Sequence, residues 1–404
     1  MEAPNQEHAH AAAPMERQSA VVAATLLGVI AVLVFIIQPG YLQGLVDHAG
    51  LSGAQAGYVA SSEMTGYAAT MILFTFLSHR LPWRPLLSAC ILIEALGNAA
   101  CLLHSTDPTW LAAARFLAGL GAGGLSSLSF TAIGMTKDPD REFGFLIMWI
   151  LLYGAIGLWA LPALFAAIGL TGFYLIIVAV SLAAFRLVPL MPSHGDNLLH
   201  VPPETVTLSV LGRSLAVASI FVFFLGCGIL WAYLSLIGTA RGLSAQPVAN
   251  ALGVSQITGV AGALFAGLLG ARFGRCRPLT VSVMICAGST LAVIGVTAKA
   301  ALLFAVAVGL FNFGWNLAQP IYLSAATGFD RQGRLVSQMV AAQACGLALG
   351  PFLGAVIGGE QNVAVLASVV AALFLASAGL IAPSFRQAAA RRSATGLAVV
   401  AESA

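Results

Sequence analysis

The stretch Leu111-Ala-Ala-Ala-Arg115-Phe-Leu-Ala-Gly119-Leu-Gly121-Ala122-Gly123 sets one guanidinium inside an apolar run from about Trp110 to Gly134, long enough to span a bilayer. An arginine near the centre of such a helix costs ~2.5–3.5 kcal/mol on insertion scales, so it turns to a polar partner or a wet cavity and not to lipid. Gly119 and Gly123 are four residues apart and share one helix face, where the missing side chains let a second backbone come close. The stretch therefore predicts a packed helix carrying a charge that another helix must answer.

The rest of the chain supplies the membrane setting. Of its 404 residues 59% are hydrophobic and only 8% charged, against ~25% charged in soluble domains. So few charges cannot solvate a soluble surface. Apolar runs fall at about 20–41, 55–78, 85–104, 110–133, 143–164, 167–189, 213–237, 248–270, 278–298, 300–326, 336–358 and 362–383, each near the ~20 residues a helical span needs. Runs of this length, without long alternating segments, exclude an outer-membrane barrel. The turn between the fifth and sixth runs is placed near Ala166–Leu170, and the polar interruption Met191–Ser214 divides the spans six and six. The expected architecture is all-α: a tail over 1–19, a six-helix bundle over 20–189, a linker over 190–212, a second bundle over 213–385 and a tail over 386–404.

Charge placement orients this scheme. With the N-terminus in the cytoplasm, fifteen of the eighteen Lys and Arg residues fall on the cytoplasmic side, Arg241 and Lys299 on the other, and Arg115 within a span. Both termini and the linker are therefore expected in the cytoplasm, in a cell membrane of the bacterial inner type. The first 19 residues carry Glu2, Glu7 and Glu16 and no basic start, so the run from Ala20 is read as a retained helix and not a cleaved signal. A net charge of +3 gives no electrostatic footprint for nucleic acid. The six cysteines are scattered without C-x-x-C or metal spacing and are read as structural thiols. No nucleotide loop, hydrolase elbow or zinc motif stands in the chain. Neither an enzyme nor a bound cofactor is expected.

The chain also repeats itself. Tyr41-Leu42 and Tyr233-Leu234, Leu51-Ser52 and Leu243-Ser244, Glu63-Met-Thr-Gly66 and Gln256-Ile-Thr-Gly259, Pro85 and Pro278, and Arg141 and Arg334 all stand 192 or 193 residues apart. One match is cheap in apolar sequence, but a constant offset over loops and helices is not. An even number of spans per copy makes this a parallel repeat.

The opening stretch resembles the fourth-helix motif L-x-x-x-R-x-x-Q-G-x-G-A-A of the major facilitator superfamily of transporters, with Ala118 and Gly123 in place of its Gln and last Ala. The loop Gly267-Leu-Leu-Gly-Ala271-Arg272-Phe-Gly274-Arg275-Cys-Arg277 resembles the superfamily's second signature. Its earlier copy around His79, Arg80 and Arg84 is degraded, and His79 and Ala271 replace the acidic residue in both. The resemblance implies two rocking bundles around a midplane site, lined by helices one, four, seven and ten. It also implies a tie between Arg115 and proton transfer. The fifth span lacks the glycine–proline pattern of drug–proton antiporters in that family.

Three charges sit well inside spans: Glu63, Glu94 and Arg115. At 1.5 Å per residue, Arg115 and Glu63 lie ~9 and ~12 Å below the outer helix ends and Glu94 ~15 Å from either face. Pairing is the usual solution for such groups, and depth allows Arg115 to meet Glu63. Glu94 shares a stripe with Cys90, Asn98 and Cys101 and remains an alternative partner. In the tenth span Asn312, Trp315, Asn316 and Gln319 recur on one helix face, and amides are not left to lipid. Gln38 and Tyr41 in the first span and Trp231 in the seventh complete the candidate pathway.

These features predict a secondary transporter of a small organic solute, an organic anion or an amphiphile, working as a monomer in the lipid bilayer with protons as coupling ion. An arginine does not titrate. It can hold a nearby carboxylate charged or, on withdrawing, leave it to take up a proton. A facilitator or drug-type exporter of the same fold is the alternative, and a non-transporting membrane sensor is the alternative from another class.

Overall fold

The first apolar run does not fold as one helix. In the computed structural model, which describes residues 15, 17–77, 81–194, 208–273, 275–327, 329 and 334–402, it breaks into α1 (Gln18–Ile30), α2 (Leu33–Ile36) and α3 (Gln38–Ala49). Pro39 explains one break, because it has no N–H to offer the carbonyl four residues earlier. That carbonyl, Phe35 O, instead accepts the Trp231 indole N–H at 3.2 Å. The run also continues past the expected end at Tyr41. Gln43 donates to Asp47 within the added turns, and Gly50, at φ 70°, ends the helix in the left-handed region.

The following helices are α4 (Gly53–Leu77), α5 (Trp83–Ala100), α6 (Pro108–Gly134) and α7 (Pro139–Ala183). After the linker come α8 (Val210–Ala240), α9 (Ala245–Phe273), α10 (Cys276–Ala292), α11 (Ala301–Thr327), α12 (Arg334–Ile357) and α13 (Val363–Glu402). No strand occurs among the described residues. Polar residues at the starts satisfy the free amides of the first turns. Ser52 and Gln55 form a capping box at α4. Asp107 accepts from Thr109 and Trp110, with Pro108 at the first position of α6.

α7 folds back on itself at Gly169, whose φ of 63° and ψ of −170° interrupt the helix. A straight helix would hold residues eight apart ~12 Å from each other, yet the Phe165 and Phe173 ring centroids are 5.5 Å apart. Both distal ends return to α1, in a cluster that holds Leu146, Ile150, Val188 and Met191. Gly169 lies inside the expected turn region. α13 runs on through the segment expected as a tail, to Glu402.

Among the described residues, eight helical stretches are long and apolar enough to cross a bilayer. Large apolar side chains such as Leu264, Leu268 and Leu302 are exposed, an arrangement that suits hydrocarbon and not water. Within the first half of the chain α6 packs between α4 and α5, and within the second half α8 packs on α12 and α9 on α11. The halves meet through α3 with α8, α4 with α12, and α7 with α9. Most of the 1–19 tail, most of the 190–212 linker, His79 and Arg80 of one signature loop, Gly274 of the other, and Arg331 lie outside the described residues.

Candidate functional site

The glycines of the opening stretch clasp α6 between its neighbours. A Cβ at Gly119 or Gly123 would stand closer than 3.0 Å to the backbone of Glu63 or Tyr67 on α4, and one at Gly121 would meet Cys90 and Glu94 on α5. Gly66 on α4 and Gly97 on α5 return the favour toward Phe116 and Ala118. Five positions without side chains thus bring three backbones together where Arg115 sits.

Arg115 is answered there. Its Nη2 and Nε donate to the two oxygens of Glu63, the second at 3.1 Å, and Nη1 donates to Asn98 Oδ1. Arg115 and Glu63 are 1% and 4% exposed. The fork geometry suits a carboxylate, and full engagement is what burial demands of both charges. The Tyr41 ring lies 5.5 Å from the guanidinium carbon, and Tyr41 and Tyr174 share a hydroxyl hydrogen bond of 2.9 Å. Of the two candidate carboxylates, Glu63 is the partner. Glu94 is buried nearby with its Oε2 unpartnered.

A cavity of about 290 Å³ lies between the two halves. Asn312, Trp315, Asn316, Gln319 and Trp231 all line it, so the amide face of α11 and the α8 tryptophan come together there. Asn312 Nδ2 donates to Ser255 Oγ at 2.9 Å, and Asn316 Nδ2 to the Asn312 carbonyl at 3.0 Å. Gln38 and Tyr41 are not in this wall. Tyr41 is spent on the Arg115 cluster, and Gln38 is buried with Nε2 unpartnered. Arg115, Glu63 and Glu94 also stand off the wall, behind Met64 and Tyr67 of α4. Sequence reasoning missed Tyr67, Gln256 and Gln343 as lining residues. Tyr67 stands one turn after Glu63, and each Gln is an isolated amide in an apolar run.

At one end of the molecule the halves are hydrogen-bonded to each other. Thr239 Oγ1 donates to Gln43 Oε1 at 2.9 Å, Tyr233 to the Gly53 carbonyl at 3.2 Å, and Gln246 to the Trp159 carbonyl at 3.2 Å. The cavity lies on the other side of these bonds, its wall running on to Met71, Phe130, Phe143 and Leu323.

The chain belongs to the Major Facilitator Superfamily, whose family profile matches residues 23–351. With its long apolar helices it is an integral membrane protein. A stretch of 120 residues is 32% identical to the niacin transporter NiaP of Acinetobacter baylyi, covering 30% of this chain and 27% of that protein. The chain thus spans little over a quarter of that relative's length. Among solved structures, an auto-inhibited POT family peptide transporter superposes with a TM-score of 0.73 at 14% identity, over 91% of this chain and 97% of that one. The nucleoside transporter NupG superposes with a TM-score of 0.67 at 13% identity, over 93% and 99%. At these identities the two structures speak for the fold.

Proposed function

We propose that this protein is a secondary transporter that carries a small organic solute across a cell membrane by alternating access. Twelve spans in two six-helix halves, 20–189 and 213–385, rock about the central cavity, with both termini cytoplasmic. The observation that carries this reading is the cavity between the halves, with a set of cross-half hydrogen bonds beside it at one end. Breaking those bonds and forming others at the opposite end would expose the same wall to the other side of the membrane. The stretch similar to a niacin transporter puts small aromatic solutes first among those to test.

Coupling to protons is assigned to the Arg115–Glu63 pair. A proton on Glu63 removes the countercharge of Arg115 and weakens the joint between α4 and α6, which is otherwise held by backbone contact at Gly119 and Gly123. α4 also packs on α12 across the halves, so a shift of α4 reaches the interface that must rock. The test is accumulation of labelled aromatic solutes in vesicles with and without a proton gradient. The reading expects accumulation that collapses with the gradient, and a Glu63→Gln variant that still exchanges solute but no longer accumulates it. Equal uptake with and without the gradient would make the protein a facilitator.

A further inference from the structure

The cavity wall contains two buried polar atoms without a hydrogen-bond partner among the described residues. One is Nε1 of Trp315, a donor, and the other is Oε1 of Gln343, an acceptor. Trp315 is 8% exposed, and the rings of Phe35, Phe224 and Trp231 surround it at centroid distances of 6.1–6.5 Å. Three neighbouring donors are already engaged: Trp231 Nε1 with Phe35 O, Asn312 Nδ2 with Ser255 Oγ, and Asn316 Nδ2 with the Asn312 carbonyl. Buried donors and acceptors are paired in folded proteins, and each exception calls for a missing partner.

No charged side chain occurs among the described residues that line the cavity. The guanidinium that could have met an organic anion is instead held by Glu63 and Asn98. Phe35, Tyr67, Phe130 and Phe143 supply aromatic walls, and the volume of about 290 Å³ suits a small solute.

We propose that the central cavity selects a small uncharged aromatic amide over the corresponding carboxylate. A carboxamide carries both complements, since its carbonyl accepts from Trp315 Nε1 and its N–H donates to Gln343 Oε1. A carboxylate has acceptors only. It would be met by Gln343 only with the amide turned to offer Nε2–H, and it would bring a charge against a wall without a cation. Sites built to hydrogen-bond a group discriminate strongly against the analogue that lacks it.

This selectivity rests on the transport reading for the route of entry, but binding tests it separately. Equilibrium binding of radiolabelled benzamide and pyridine-3-carboxamide, against benzoate and pyridine-3-carboxylate, is measured on the purified full chain at neutral pH. Each amide is expected to bind at least tenfold more tightly than its carboxylate. Trp315→Phe, which keeps an aromatic ring and loses the donor, and Gln343→Leu should each weaken the amide about tenfold. Gln343→Asn serves where Gln343→Leu fails to fold. Tighter binding of the carboxylates, no binding of either amide, or amide binding indifferent to the variants would overturn the proposal. Vesicle uptake of the same compounds separates the two readings. Amide bound but not carried leaves the selectivity and overturns transport, whereas carboxylate carried in preference overturns the selectivity and leaves transport.

Discussion

Removing one member of the Arg115–Glu63 pair should cost far more than removing both. Arg115→Met leaves Glu63, 4% exposed, without a countercharge, and Glu63→Met leaves Arg115, 1% exposed, in the same position. Stranding a buried charge in this way costs about 3–5 kcal/mol, whereas replacing a whole buried pair by apolar groups of similar volume is close to neutral. The double variant also orphans Asn98 Oδ1, which accepts from Arg115, a further penalty of about 1–3 kcal/mol. Arg115→Met alone orphans the same oxygen, so the singles should sum to about 7–13 kcal/mol while the double costs only about 1–3 kcal/mol. Unfolding followed by tryptophan fluorescence in mixed micelles, as the fraction of denaturing detergent rises, gives the four free energies of the cycle. Singles that each cost less than about 1 kcal/mol, or a double that costs their sum, would refute the pair as a mutually dependent unit.

Other consequences follow from the same geometry. Gly119→Ala should destabilise by about 1–3 kcal/mol, because its methyl meets the Glu63 backbone. Gly134→Ala, with nothing within 4 Å of its Cβ, should leave the melting temperature unchanged. Trp231→Phe should cost about 0.5–1.5 kcal/mol by removing the indole hydrogen bond to the Phe35 carbonyl beside Pro39, read in the same unfolding assay. In a background free of other thiols, cysteines at Asp47 and Asp107 should react with an impermeant maleimide from outside, and a cysteine at Arg213 only from the cytoplasmic face.

How much of this was legible in the sequence depends on how many residues carried each signal. Arg115 announced itself as a charge in an apolar run, and the glycines beside it showed which face would be approached. The amide face of α11 was readable because four side chains repeat at helical spacing. Gln256 and Gln343 carried no such repetition, and only the packing of α7 on α9 and of α4 on α12 brings them to the same wall. Glu63 and Glu94 could not be told apart by depth, because the choice rests on Asn98 taking the third guanidinium nitrogen and on Gly121 giving Glu94 a different neighbour. The broken first run was hidden from hydropathy, which reads Ile30 to Ile37 as apolar throughout. The Pro39 that breaks it draws in Trp231 from the other half of the chain.

The central claim is that the halves must part at one end for solute to cross. Gln43 on α3 and Thr239 on α8 touch there through a 2.9 Å hydrogen bond. With the six native cysteines replaced, Gln43→Cys and Thr239→Cys together place two thiols across that contact. The account predicts that oxidation to the disulfide abolishes vesicle uptake of whichever solute is carried, and that a reductant restores it. Full uptake by the completely cross-linked protein would contradict alternating access through this cavity.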